Sequence, residues 1–225
     1  MAAPSLRDYY VPINRLGAMN IIASRAARAV ALNALLLLFV PACLDAGQRG
    51  ALTASRNLAD LVGEAGVILR GRIVSTRVEP HPQFSALWTV VVTIQVDDAI
   101  KGQLGTSYSF RQFIWDPRDR QDAAGYQKGQ NLLLLLTSPN SSGLSSPVGL
   151  EQGRFQLSID AAGNAYATNG RNNAGLLNGV AARATAKGIR LEPRSAALVA
   201  APPQGPLALS DLLTLIRQLA SVNSP

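Results

Sequence analysis

Few side chains in this sequence could do chemistry. Among 225 residues there is one histidine and one cysteine. His81 lies between Pro80 and Pro82, where both neighbours restrain the backbone and favour an extended, exposed loop. A zinc site needs several converging His, Cys or carboxylate ligands, and no second histidine is present to build one. Ser-His-Asp or Cys-His arrangements would have to use His81, and no Gly-x-Ser-x-Gly segment accompanies it. Asp116, Asp119 and Asp122 recur every third residue with Arg118 and Arg120 between them. Calcium loops instead place acids at alternate positions around a glycine, so a solvated loop is expected here. Asp97 and Asp98 are adjacent in a strand pattern and should point to opposite faces. The glycines Gly71, Gly102, Gly129 and Gly153 are isolated, so no phosphate-cradling run forms. Trp88, Tyr108, Phe110, Phe113 and Trp115 could form a stacking platform or, more ordinarily, a core. No catalytic residue, metal ligand or cofactor site is therefore expected.

The cysteine carries a different kind of signal. Ahead of it, Arg25 and Arg28 precede an apolar stretch, Ala29 to Val40, centred on Leu35-Leu36-Leu37-Leu38-Phe39. Twelve helical residues span about 18 Å, well short of a bilayer core of about 30 Å. A positive flank, a short apolar centre and a small-residue ending constitute a signal peptide over residues 19–42. Translation is expected to start at Met19, leaving residues 1–18 as an extension or a disordered segment. Val40-Pro41-Ala42-Cys43 resembles a bacterial lipobox, which makes Cys43 the expected lipidation site and the membrane anchor. Val40-x-Ala42 and Leu44-x-Ala46 also suit ordinary signal peptidase, which would release the chain instead. Export implies the periplasm or cell envelope.

The formal charge is +7. Arg7, Arg15, Arg25 and Arg28 against Asp8 put +3 of it before Cys43, leaving +4 beyond. The remaining basic residues are scattered and no nucleic-acid motif accompanies them, so nucleic acid is not an expected partner. The apolar fraction of 48% is enough for a core. With one cysteine no intrachain disulfide can form.

After a linker at residues 43–54, residues 53–65 predict a helix capped by Thr53 or Ser55. Val67 to Val78 reads as a strand bent at Gly71. In the next strand, Leu87 to Asp97, residues Trp88, Val90, Val92, Ile94 and Val96 share one face and Thr89 and Val91 the other. Tyr108 to Phe113 follows the Lys101-Gly102 turn. A polar loop fills 114–130, and Leu132 to Leu136 predicts a strand buried on both sides. Phe155–Ile159 and Ala165–Thr168 form a hairpin. Residues 169–207 read as a long low-complexity connection. Residues 208–222 form an amphipathic helix, capped by Ser210 or Asp211, whose stripe of Leu209, Leu212, Leu213, Ile216 and Leu219 should dock on the domain.

The segments Ala65–Val74, Val96-Asp97-Asp98-Ala99-Ile100-Lys101-Gly102 and Gly129-Gln130-Asn131-Leu132-Leu133-Leu134 resemble the barrel of tissue inhibitors of metalloproteinases and netrin C-terminal modules. Uncharacterised exported bacterial proteins share the pattern, often with a piece like Gly149-Leu150-Glu151-Gln152-Gly153-Arg154-Phe155 behind it. The resemblance covers residues 55–168. It implies a mainly β, OB-like barrel of five to six strands, flanked by the N-terminal helix and the C-terminal amphipathic helix. The inhibitors chelate the protease zinc through a Cys-x-Cys start, whereas this chain has Cys43-Leu44-Asp45. Inhibition by chelation is therefore not implied, and a shared fold does not by itself transfer function. The expected function is a non-enzymatic, monomeric binding or interaction module at the bacterial cell envelope, for an envelope protein or ligand of unknown identity. The alternatives are an envelope hydrolase with an unrecognised site and a protease inhibitor acting through loops.

Overall fold

The computed structural model describes residues 54–221. The expectations for the extension, the signal peptide, Cys43 and a Thr53 cap lie outside the described residues.

The first helix, α1 (Leu58–Glu64), starts at the first residue of its apolar period rather than at residue 53, and Ser55 does not cap it. Asn57 caps it, its side-chain oxygen accepting the Asp60 N–H at 3.0 Å. Leu58, Ala59, Leu61 and Val62 are buried. Three long strands follow: β1 (Val67–Pro80), β2 (Trp88–Lys101) and β3 (Ser107–Phe113). The bend expected at Gly71 coincides with a register shift between Arg70 and Gly71. A Cβ there would stand 2.2 Å from the Gln95 carbonyl oxygen, so the bulge requires glycine.

Next come β4 (Asn131–Leu136), β5 (Arg154–Ile159) and β6 (Ala165–Asn169). Helices α2 (Val180–Ala186) and α3 (Pro193–Ala200) lead to a two-residue β7 (Leu207–Ala208) and α4 (Leu209–Ala220). The protein is mainly β: one seven-stranded antiparallel sheet in the order β3-β2-β1-β4-β5-β6-β7.

The sheet is open. Its outer strands β3 and β7 do not pair with each other, so the expected barrel is not closed by a continuous ladder. Two isolated bridges lie beyond the named strands, Arg111 to Leu144 in parallel and Leu136 to Pro147 antiparallel. The Ser145 N–H donates to the Arg111 carbonyl at 2.8 Å, and the Thr137 N–H to Ser146 at 2.9 Å.

Strand β4 separates two cores, as a fully apolar run between two layers should. Leu133 and Leu135 face α1, α2 and α4, with Ile68, Phe155, Val180, Leu212 and Ile216. Leu132, Leu134 and Leu136 face the second core, with Leu69, Ile73, Val90, Val92, Ile94, Phe110 and Tyr126. All five leucines are within 1% of complete burial, each contributing about 1.5–3 kcal/mol of transfer free energy.

Residues 169–207 differ most from expectation. They carry α2 and α3, and Leu176, Leu177, Val180 and Ala184 enter the helix-side core. The order comes from polar contacts that leave no periodic trace. Buried Asn169 and Asn173 exchange backbone-to-side-chain bonds of 3.0 and 2.8 Å, and the Asn173 amide donates to the Ala167 and Gly205 carbonyls at 2.9 Å. Gln152 donates to Ala54 O and accepts the Arg56 N–H, fixing the chain where it enters the fold. The helical layer and the sheet thus share one core, and the boundary expected at residue 168 does not separate them. Helix α4 docks through the expected stripe, but Ala208 occupies its N-cap and no side chain caps it.

Tyr126, on the loop between β3 and β4, is buried in the second core, edge-on to Phe110, and its hydroxyl donates to Gln112 at 2.8 Å. Burial raises its pKa far above the ordinary tyrosine value of about 10. The folded state therefore retains a proton that the unfolded chain releases, and stability is lost as pH rises past 10. Relative to Tyr126→Phe, the wild type should lose about 1.4 kcal/mol per pH unit there. Denaturant titrations at several alkaline pH values check this; a constant difference between the two proteins would contradict it.

Candidate functional site

His81 is buried, 4% exposed, where the flanking prolines predicted exposure. Strand β1 runs on through Pro80, and the His81 N–H continues the pairing to Leu87 O at 2.7 Å. The Gln83 N–H donates to Nδ1 at 3.2 Å, which assigns Nε2 as the donor to the Ser142 carbonyl at 2.9 Å. Both ring nitrogens are engaged. His81 thereby pins the β1–β2 loop to the loop after β4. Phe84 stacks on its ring at 5.2 Å and remains 47% exposed.

The aromatic residues singled out in the sequence do not form one platform. Phe110 is core, and Tyr108 and Trp88 pack against it from the same face. Phe113 and Trp115 turn the other way, which the alternation of β3 dictates. Their rings meet edge-on at 4.8 Å, and Trp115 is 64% exposed. Arg120 lies over the Trp88 ring at 4.5 Å. The fold thus gathers both tryptophans of the chain at the end of the sheet where β1 finishes and β2 begins. Phe84 was not legible as a participant, because its position depends on the stack on buried His81.

No protein-family model, curated protein or solved structure matches the chain. The geometry alone must therefore indicate a site.

The outward face of β2 and β3 continues from these rings. Register pairs Thr89 with Phe113, Val91 with Arg111, Thr93 with Ser109 and Gln95 with Ser107. This is the sheet face that the helices cover farther along, at β4 to β6. At the β2–β3 end Gln95, Ser107 and Ser109 are exposed. The Thr93 and Ser109 hydroxyls bond each other at 2.9 Å. Several charges near the rings are paired. Arg111 spans to Glu79 at 2.7 Å and to the Thr89 hydroxyl at 2.8 Å, and Arg77 reaches the same Glu79. Hydrogen bonds from Arg77 and then Arg111 hold the Glu79 carboxyl down to about 2. Arg118 forks onto Asp116.

The remaining expected candidates are structural. Asp98 pairs with Arg217 of α4 at 2.6 Å. Asp116 caps the 3-10 turn Pro117–Arg120, and Asp122 caps the next turn. An open groove of about 520 Å³ between α2 and α3 is lined chiefly by Ala181, Ala184, Ile189, Ala196 and Val199, without convergent polar groups. No group of three or more metal-ligating side chains, and no helix long and apolar enough to cross a membrane, occurs among the described residues.

Proposed function

We propose that the chain is a non-enzymatic binding module of the cell envelope, and that its contact surface is the aromatic end of the sheet. One observation carries this reading: Trp115 and Phe84 expose large aromatic surface on supports that are already fixed. Trp115 rests on Phe113, and Phe84 rests on a histidine with both nitrogens bonded. Side chains ordered in advance lose little entropy on binding, which favours affinity. Grouped exposed aromatics are a mark of interaction sites.

The OB-like barrel, with its resemblance to the inhibitor and netrin modules, belongs to the same proposal. The two isolated bridges support it. Through them β3 touches residue 144 and residue 147 touches β4, the path along which a barrel β1-β2-β3-(144–147)-β4 would close. On such a barrel the β2–β3 face and adjacent loops are the customary contact surface.

Two experiments test the function. Isolated envelope fragments of the producing cell should retain the purified chain, and Trp115→Ala combined with Phe84→Ala should reduce retention about tenfold or more, as for an interface hot spot. Equal retention would reject the aromatic end as the contact. Envelope placement is tested through Cys43: a fatty-acid probe should label the wild type and not Cys43→Ala, and equal labelling of both would remove the lipid anchor.

A further inference from the structure

We infer that the partner of this module is an acidic polysaccharide, held along the outward face of β1, β2 and β3 by a row of arginines that the fold does not fully neutralise. The inference rests on the binding-module reading above and names the ligand class for it.

The row follows from the register. On β1, Arg70, Arg72 and Arg77 stand opposite Asp98, Gln95 and Val91 of β2, and Val91 stands opposite Arg111 of β3. Paired residues share a face of the sheet. From Arg70 to Arg77 the row runs about 20 Å at strand rise, a length that suits an oligomer rather than a single small anion.

The charge along this row is unbalanced. Arg77 and Arg111 share the one carboxylate of Glu79. Arg70 and Arg72 form no salt bridge among the described residues, and Asp98, opposite Arg70, is already engaged by Arg217 of α4 at 2.6 Å. Arg72 is exposed, and the Arg70 Nε is buried without a hydrogen-bond partner. Even with exposed Asp97 of the β2 bulge counted, arginines outnumber carboxylates here. A polyanion placed on such a row gains from the release of counterions. Guanidinium forks also match carboxylate oxygens two at a time.

The groups between the arginines favour sugar over other polyanions. Ser75, Thr93 and Ser109 line up across the three strands between Arg72 and Arg77, and Gln95 and Ser107 continue beside Arg72. All but Thr93 of these five are exposed. Hydroxyls and amides both donate and accept, as sugar hydroxyls do. The strip thus alternates cation and hydroxyl, as an acidic polysaccharide alternates carboxylate and hydroxyl. Single-stranded nucleic acid calls for aromatic rings under successive bases, whereas the exposed rings of Phe84 and Trp115 are confined to one end of the sheet. An anionic bilayer is met by basic residues beside an apolar face that enters it, and the strip presents hydroxyls in that place.

The purified chain is titrated by calorimetry with an oligomer of polygalacturonate. Laminarihexaose, a single-stranded DNA oligomer of equal charge and phosphatidylglycerol vesicles are the comparisons. Saturable binding of the galacturonate oligomer is expected, at least tenfold tighter than any comparison. It should weaken tenfold or more between about 0.05 and 0.5 M salt. Arg72→Gln with Arg77→Gln should weaken it about tenfold while the melting temperature stays within a few degrees, because both side chains are exposed. Lys187→Gln with Arg190→Gln removes the same charge from exposed positions of the helical layer and should change binding less than twofold. Equal losses from the two pairs would show that net charge alone is read and would overturn the assignment to this face. Laminarihexaose bound as well as the galacturonate oligomer, or DNA or vesicles bound more tightly, would overturn the acidic polysaccharide. If the galacturonate oligomer does not bind and envelope retention still depends on Trp115 and Phe84, the polysaccharide is wrong and the binding-module reading stands. If it does not bind and retention ignores both rings, both fail.

Discussion

Leu134→Asp should leave the protein without a cooperative unfolding transition at room temperature. Leu134 is fully buried on the face of β4 that meets Leu69, Ile73, Val92 and Phe110, and its backbone pairs with Leu69 on one side and Arg154 on the other. The one cation at hand is buried Arg154, cross-strand from Leu134, whose guanidinium already bonds the Ala124 and Gly125 carbonyls, so the aspartate either stays uncompensated or draws the arginine away from that turn. Burying an uncompensated carboxylate, or protonating it to avoid the charge, costs at least several kcal/mol. The side-chain volume and dispersion contacts of leucine are lost as well. The whole stability of a domain is about 5–15 kcal/mol. Circular dichroism melts check this, and a variant that melts cooperatively within a few degrees of wild type would contradict the burial of β4 on both faces.

Arg154→Ala should cost about 3 kcal/mol or more, lowering the melting temperature by roughly 10 °C. Arg154 is 6% exposed. It donates to the Ala124 carbonyl at 2.9 Å and to Gly125 O, and its guanidinium lies 4.0 Å from the Tyr126 ring centroid. Those carbonyls belong to a run of left-handed residues, Ala123 and Ala124 at φ 53° and 54° and Gly125 at 73°. For alanine this conformation costs about 1–2 kcal/mol each, so the turn persists because Arg154 and the buried Tyr126 hold it. Removing the arginine strips two carbonyls of charge-assisted bonds and releases the turn together. The backbone half of the argument has its own check. Ala124→Gly should be neutral or stabilising, because glycine adopts positive φ without a Cβ penalty. Ala59→Gly in α1 should cost about 1 kcal/mol. Equal losses at the two positions would contradict the strained turn.

The sequence revealed features carried by local period and missed those created by tertiary contact. Leu132 to Leu136 could be read as doubly buried because five apolar residues in a strand have no polar face to present. The inward set Trp88, Val90, Val92, Ile94 and Val96 was visible through strict alternation, and the stripe of α4 through helical spacing. Residues 169–207 gave no period, since α2 and α3 are only seven and eight residues long. Their order rests on asparagine contacts and on a left-handed Gly179 at the start of α2. His81 was placed in solvent by its two prolines, yet Ser142, sixty-one residues away, supplies the partner that buries it. The site was half legible: Phe113 and Trp115 were among the noted aromatics, but their separation from Tyr108 and Phe110 follows from which face of β3 meets the core. Phe84 carried no signal at all.

The claim that the aromatic end is the contact surface is tested most directly by the exposure of one ring. Trp88→Phe leaves Trp115 as the only tryptophan, 64% exposed in the free protein. Acrylamide quenching of that variant is compared with and without saturating envelope fragments. Strong quenching in the free chain and a severalfold smaller quenching constant in the retained chain are expected if Trp115 is covered on binding. Unchanged quenching of chain that is demonstrably retained would show that the envelope is held by some other surface, and would contradict the account.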